Sequence, residues 1–172
     1  MKFPITKPRR ILIVGDAGRG KTTFAHRLSF VLGISVYSTD DFFWKTKYTE
    51  KQDPHISLQS IKHIYEKDSW IVEGATSRLT EGGLERADVI LCLEFGMIMT
   101  QWLNLMRRHI GRKEERFQDL ILLLRHVFYK RYGVGYERGT QTVRELIHPY
   151  EAKTVTLHSF KEMDEYLQLF SR

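Results

Sequence analysis

The spacing of apolar positions changes more than once along the chain, and each change marks an element. Ile11, Leu12, Ile13 and Val14 form an unbroken β-branched and aliphatic block closed by Gly15, the pattern of a strand buried on both faces. After a polar, glycine-rich turn, Phe24, Leu28, Val31 and Leu32 recur at helical spacing until Gly33 supplies a stop. A second strand is predicted over Ile34–Tyr37, a third from Trp70 through Val72 into Glu73-Gly74, a fourth over Val89–Leu93 and a fifth over Lys153–Leu157. Helices are predicted at Ser57–Glu66, Met97–His109, Asp119–Tyr132, Val143–Tyr150 and Phe160–Phe170, while Thr76–Arg86, polar and glycine-containing, reads as a connection. Strands alternating with helices imply an α/β fold, a parallel sheet covered on both faces, with ligands gathered at the carboxyl ends of the strands.

With 172 residues the expectation is one domain spanning 1–172. No segment approaches the roughly 20 apolar residues of a membrane span, and the basic opening Met1–Arg10 lacks a signal-peptide core, so a soluble cytoplasmic protein with no membrane partner is expected. Charge narrows the partners further: 27 basic residues against 21 acidic give +6, which favours nucleotides, nucleic acid or acidic lipid. The single cysteine, Cys92, lies in the fourth apolar run, so an internal disulfide and a cysteine-rich zinc site are excluded and a buried small hydrophobe is expected.

The most specific chemistry is Gly15-Asp16-Ala17-Gly18-Arg19-Gly20-Lys21-Thr22, followed by Thr23, between the first strand and the first helix. It satisfies the phosphate-loop pattern, in which glycines let successive backbone N–H groups turn inward around a phosphate. Lys21 is placed to contact the β- and γ-phosphates of ATP and Thr22 to ligate Mg²⁺, with the helix dipole adding to the anion site. A metal-side carboxylate is expected at Glu73, whose neighbour Gly74 permits close chain approach, or at Glu94, and Glu73 ranks first.

Asp40 and Asp41 follow the second strand, where a carboxylate could take a proton from an attacking hydroxyl; Asp40, nearer the strand, ranks first as catalytic, and either could instead cap a helix. Phe42, Phe43 and Trp44 are candidates for an acceptor pocket or for core. Arg108, Arg112 and Arg116 are spaced by four, with Arg107 adjacent. They read either as a lid over about 107–118 closing on the triphosphate or as a solvated face neutralised by Glu114 and Glu115. Arg78 is a candidate for an acceptor phosphate, with Arg138 and Arg144 as weaker candidates from beyond the lid.

The phosphate loop, the acidic segment at Asp40, the strand-end Glu73-Gly74 and the arginine-rich lid resemble the adenylate-kinase-like P-loop kinases. Within them, Asp40–Trp44, Trp70–Gly74, Leu84–Asp88 and Arg107-Arg108 are similar to DNA topology modulation proteins, often labelled adenylate-kinase-related. The resemblance implies a five-stranded parallel sheet in the order 2-3-1-4-5, an acceptor region after strand two and a mobile lid before the last strand. Those relatives commonly carry Asp-Gly-Asn where this chain has Glu73-Gly74-Ala75, and adenylate kinases have Gly-Phe-Pro-Arg where it reads Gly74-Ala75-Thr76-Ser77-Arg78, so AMP is not an implied acceptor. The expected activity is transfer of the ATP γ-phosphate, with Mg²⁺, to a small hydroxyl- or phosphate-bearing acceptor, a nucleoside or nucleotide among the candidates. A nucleotide-dependent nucleic-acid-binding regulator and a plain NTPase are the competing expectations.

Overall fold

The computed structural model describes residues 7–46, 50–74, 78–94, 102–106, 110, 121, 124–125 and 143–171. Five parallel strands form the central sheet: β1 (Arg10–Gly15), β2 (Val36–Ser38), β5 (Trp70–Gly74), β6 (Val89–Leu93) and β7 (Thr154–Leu157). Their spatial order is β2-β5-β1-β6-β7, which is 2-3-1-4-5 once a small antiparallel hairpin, β3 (Trp44–Thr46) with β4 (Glu50–Lys51), is set apart. The helices are α1 (Lys21–Leu32), α2 (Thr39–Phe43), α3 (Pro54–Tyr65), α4 (Arg78–Arg86), α5 (Val143–Ile147) and α6 (Phe160–Gln168), with a further helical stretch at 102–106.

Strand alternation sorts the core into two halves. Ile11 and Ile13 pack with Phe24, Leu28, Met163 and Tyr166 from α1 and α6 on one face. Leu12 and Val14 pack with Ile61, Tyr65, Leu79 and Leu84 from α3 and α4 on the other. Because both faces are covered, β1, β5 and β6 tolerate only apolar side chains along most of their length, and that is why they stand out as uninterrupted runs. Because α2 follows β2 and α4 follows β5, both helices begin at the carboxyl edge of the sheet.

Several expectations are corrected. The span Thr76–Arg86 is a helix from Arg78 onward: Gly82 and Gly83, which read as a loop, sit under the Tyr65 ring, where a Cβ on Gly83 would lie 2.7 Å from Tyr65 Cε1. Neither Asp40 nor Asp41 caps α2; Ser38 does, its hydroxyl accepting from the Asp40 amide, and both aspartates fall in the first helical turn. The second strand begins at Val36 rather than Ile34. The helix α3 starts at Pro54, capped by the Asp53 carboxylate, and Pro149 turns the stretch after Ile147 into a 3₁₀ helix, His148–Lys153.

Candidate functional site

The carboxyl ends of β1, β2 and β5 bring three sequence-distant segments to one edge. After β1, Gly15 adopts φ 149° and lies so close to β6 that a Cβ would meet the Leu93 carbonyl oxygen at 2.7 Å, so only glycine lets the loop leave the sheet here. Gly18 and Gly20 take φ 78° and 77°, left-handed values that fold residues 16–20 into a loop over the start of α1. No side chain caps the α1 N-terminus, and Gly20 occupies the cap position, so its first-turn N–H groups face the loop as an anion site.

Within the loop, Lys21 is buried and its Nζ donates to the Asp16 carbonyl oxygen at 3.0 Å, which turns the ammonium back toward the start of the loop. Arg19, also buried, pairs with the Asp16 carboxylate at 3.2 Å, so the loop carries its own charge compensation beside Lys21. Thr22 and Thr23 are exposed at the head of α1.

Glu73 is the hub of the site. It is only 4% exposed, yet its Oε1 accepts hydrogen bonds from Thr22 Oγ1 at 2.9 Å and from Ser38 Oγ at 2.8 Å. Two register pairings deliver it: β5 pairs with β1 and with β2, and Glu73 stands opposite Ser38 in the second pairing. A buried carboxylate held by neutral hydroxyls favours a positive partner, and carboxylate and hydroxyl oxygens are the hard donors that suit Mg²⁺. Among the described residues no cluster of three or more His, Cys, Asp or Glu could hold a metal unaided. A cation here would therefore draw on Thr22, Glu73 and the phosphates of a nucleotide, as Mg²⁺ does with few protein ligands.

Ser38 is a member of this hydrogen-bond cluster that sequence reading missed. Its hydroxyl donates to Glu73 and accepts from the Asp40 amide at 3.4 Å, so one side chain joins the buried carboxylate to the helix bearing Asp40 and Asp41. Asp40 is half-buried and Asp41 exposed. Thr39, buried between them and β5, rests on Gly74, which explains the glycine there: a Cβ would lie 2.6 Å from Thr39 Cγ2. Trp44 opens the hairpin, its ring edge-on to Phe43 at 4.9 Å, so the aromatic segment continues outward from the two aspartates.

Glu94, the alternative carboxylate, is engaged elsewhere: Arg144 contacts its Oε1 through Nη2 at 2.6 Å and Nε at 2.9 Å. Arg78 opens α4, exposed, just beyond β5. Cys92 is buried, its thiol pushed up to about 11 by burial and then by the Glu94 charge, so it stays protonated and belongs to the core. Arg107, Arg108, Arg112, Arg116 and Arg138, and most of the 107–118 segment, lie outside the described residues.

No protein-family model and no curated protein matches the chain. Solved structures do match over nearly its whole length. The shikimate kinase from Acinetobacter baumannii in complex with shikimate shares 15% identity over 94% of this chain and 92% of that one, with a TM-score of 0.55. A gluconokinase from Sinorhizobium meliloti 1021 shares 14% over 94% and 89%, with a TM-score of 0.53. The shikimate kinase from Bacteroides thetaiotaomicron shares 11% over 94% and 95%, with a TM-score of 0.57. The chain therefore has the fold of the small P-loop kinases. Among the described residues no helix is long and apolar enough to cross a membrane.

Proposed function

We propose that this protein is a Mg²⁺-dependent P-loop kinase that transfers the γ-phosphate of ATP to a hydroxyl of a small acceptor in the cytoplasm. The observation that carries this reading is the 2.9 Å contact between Thr22, directly after Lys21 in the phosphate loop, and the buried Glu73 of the neighbouring strand. Loop N–H groups and Lys21 would hold the β- and γ-phosphates, and Thr22 with Glu73 would hold Mg²⁺, which would supply charge neutralisation there. Asp40 stands on the acceptor side of the hub. There it accepts the proton of the attacking hydroxyl as the acceptor oxygen bonds to the γ-phosphorus and the bond to the ADP oxygen breaks. Positioning and charge stabilisation carry most of the rate enhancement.

Two solved neighbours named for phosphorylation of small molecules support a small acceptor. The similarity of Asp40–Trp44, Trp70–Gly74 and Leu84–Asp88 to DNA topology modulation proteins supports reading the chain as an adenylate-kinase-like enzyme. The competing reading, a nucleotide-dependent nucleic-acid-binding regulator, has the +6 charge in its favour. ADP release from Mg-ATP, measured across nucleosides, nucleotides, sugar acids and small alcohols, tests the proposal. Acceptor-dependent turnover that Lys21→Ala abolishes is expected; acceptor-independent hydrolysis would make the protein an NTPase. Nucleotide-dependent retention of DNA without turnover would favour the regulator.

A further inference from the structure

The helical stretch 102–106 follows β6 in sequence and packs on the outside of the phosphate loop. Leu105, 1% exposed, clusters with Ala17, Trp102 and Leu124, while Asn104 Nδ2 donates to the Gly18 carbonyl oxygen at 2.9 Å. That carbonyl shares a planar trans peptide with the Arg19 N–H, and in a trans peptide the C=O and N–H point to opposite sides. Gly18 itself is left-handed, at φ 78°, a conformation from which glycine turns easily, so the orientation of this peptide is not fixed by backbone sterics alone. Asn104 adds a constraint from outside the loop: by holding the Gly18 oxygen toward the 102–106 helix, it holds the Arg19 N–H away from that helix.

We propose that Asn104 is a positioning residue for phosphate binding, one that presets the Gly18–Arg19 peptide so that the Arg19 N–H is presented to the nucleotide without reorganisation. The proposal rests on the loop being a nucleotide phosphate site, and it deepens that reading by naming what orients the loop from outside. Pre-organisation of this kind acts on affinity, because a peptide free to flip must be ordered when the ligand arrives.

The test compares Mg-ATP binding by titration calorimetry for the full-length wild-type chain, Asn104→Leu and Asn104→Asp between pH 5 and 8, with thermal melting to establish that each is folded. Asn104→Leu is expected to weaken binding roughly three- to tenfold, the loss of one hydrogen bond, at every pH. Asn104→Asp is expected to bind weakly at pH 8, where a carboxylate faces the Gly18 oxygen. It is expected to recover toward wild type at low pH, where the protonated acid donates to that oxygen as the amide does. Asp16, Arg19 and Lys21, the charged groups of the loop, are common to all three proteins, so the recovery is read as the difference between the Asp and Leu variants. Wild-type affinity in both variants, or weakening of Asn104→Asp with no recovery at low pH, overturns the proposal. Failure of the folded wild-type chain to bind Mg-ATP removes the nucleotide reading itself, and the proposal with it.

Discussion

Gly74→Ala tests whether the acceptor side of the site is seated as tightly as the packing indicates. The added Cβ would stand 2.6 Å from Thr39 Cγ2, 2.8 Å from Thr39 Cβ and closer still to Thr39 Oγ1, against about 3.5–4.0 Å for an ordinary carbon contact. Thr39 cannot simply rotate away: it is β-branched, 4% exposed and fixed at the head of α2 directly after the cap Ser38. The strain must move α2 off β5, and overpacking of this kind costs about 1–3 kcal/mol. For a chain of this size that is a fall in Tm of about 2–12 °C. Because α2 carries Asp40, acceptor-dependent turnover should fall further than Mg-ATP affinity, which depends on Lys21, Thr22 and Glu73. A double-mutant cycle with Thr39→Ala should recover part of the loss, since it removes Oγ1 and Cγ2 and leaves the 2.8 Å contact, giving a coupling of about 1 kcal/mol or more. Gly74→Ala with wild-type Tm and wild-type turnover would refute the packing account.

The two carboxylates should separate by phenotype: Asp40→Asn is expected to remove acceptor phosphorylation while sparing Mg-ATP affinity, and Glu73→Gln to shift the Mg²⁺ dependence of ATP binding. Nucleotide titrations with and without Mg²⁺, beside turnover assays, check this, and exchanged phenotypes would reverse the roles. At the opposite edge of the sheet, Asp88 accepts from the Arg9 and Arg10 amides and from the Arg10 guanidinium. Partial burial alone would raise its carboxyl, but the Arg10 hydrogen bonds and charge, with the Arg9 amide, outweigh burial and hold it below its ordinary value. Its stabilising contribution is thus present above the ordinary carboxylate range and lost as pH falls through the lowered folded value. Asp88→Asn should cost about 0.5–1.5 kcal/mol at neutral pH and much less in strong acid, measured by urea unfolding at several pH values. Any nucleic-acid binding driven by the net charge should fade steeply with added salt in a filter-binding assay, and tight binding at high salt would contradict this.

What was legible in the sequence follows from where the constraint lies. The strands β1, β5 and β6 are buried on both faces, so their apolar runs had no other physical explanation, and the phosphate loop is spelled out by consecutive residues. The helix α4 was hidden because Gly82 and Gly83 carry low helix propensity, and their reason, the Tyr65 ring lying over them, is a tertiary contact. The hairpin β3–β4 has exposed Lys45 and Glu50 and no turn signature within the residues that form it. Ser38 and Asn104 left no trace for the same reason. A serine at a strand end or an asparagine in a helix is unremarkable until the pairing of β2 with β5, or the packing of 102–106 on the loop, gives it a partner. Glu73 could be ranked above Glu94 from its glycine neighbour, but the Arg144 pair that occupies Glu94 could not be foreseen.

The position of β5 between β2 and β1 gives the molecule a division of labour. This strand is a shared rail: β1, which leads into the glycine-rich loop, runs along one side and β2, which leads into Asp40 and Asp41, along the other. Two adjacent residues of that rail seat the start of α2, Glu73 through Ser38 and Gly74 through Thr39. Beyond Asp40 the chain runs through α2 and the β3–β4 hairpin before returning to the core at α3. Phe42, whose carbonyl accepts from Ser57 Oγ, and Asp53, which caps α3, anchor this excursion at both ends, so variation in length and chemistry is best tolerated in the hairpin between them.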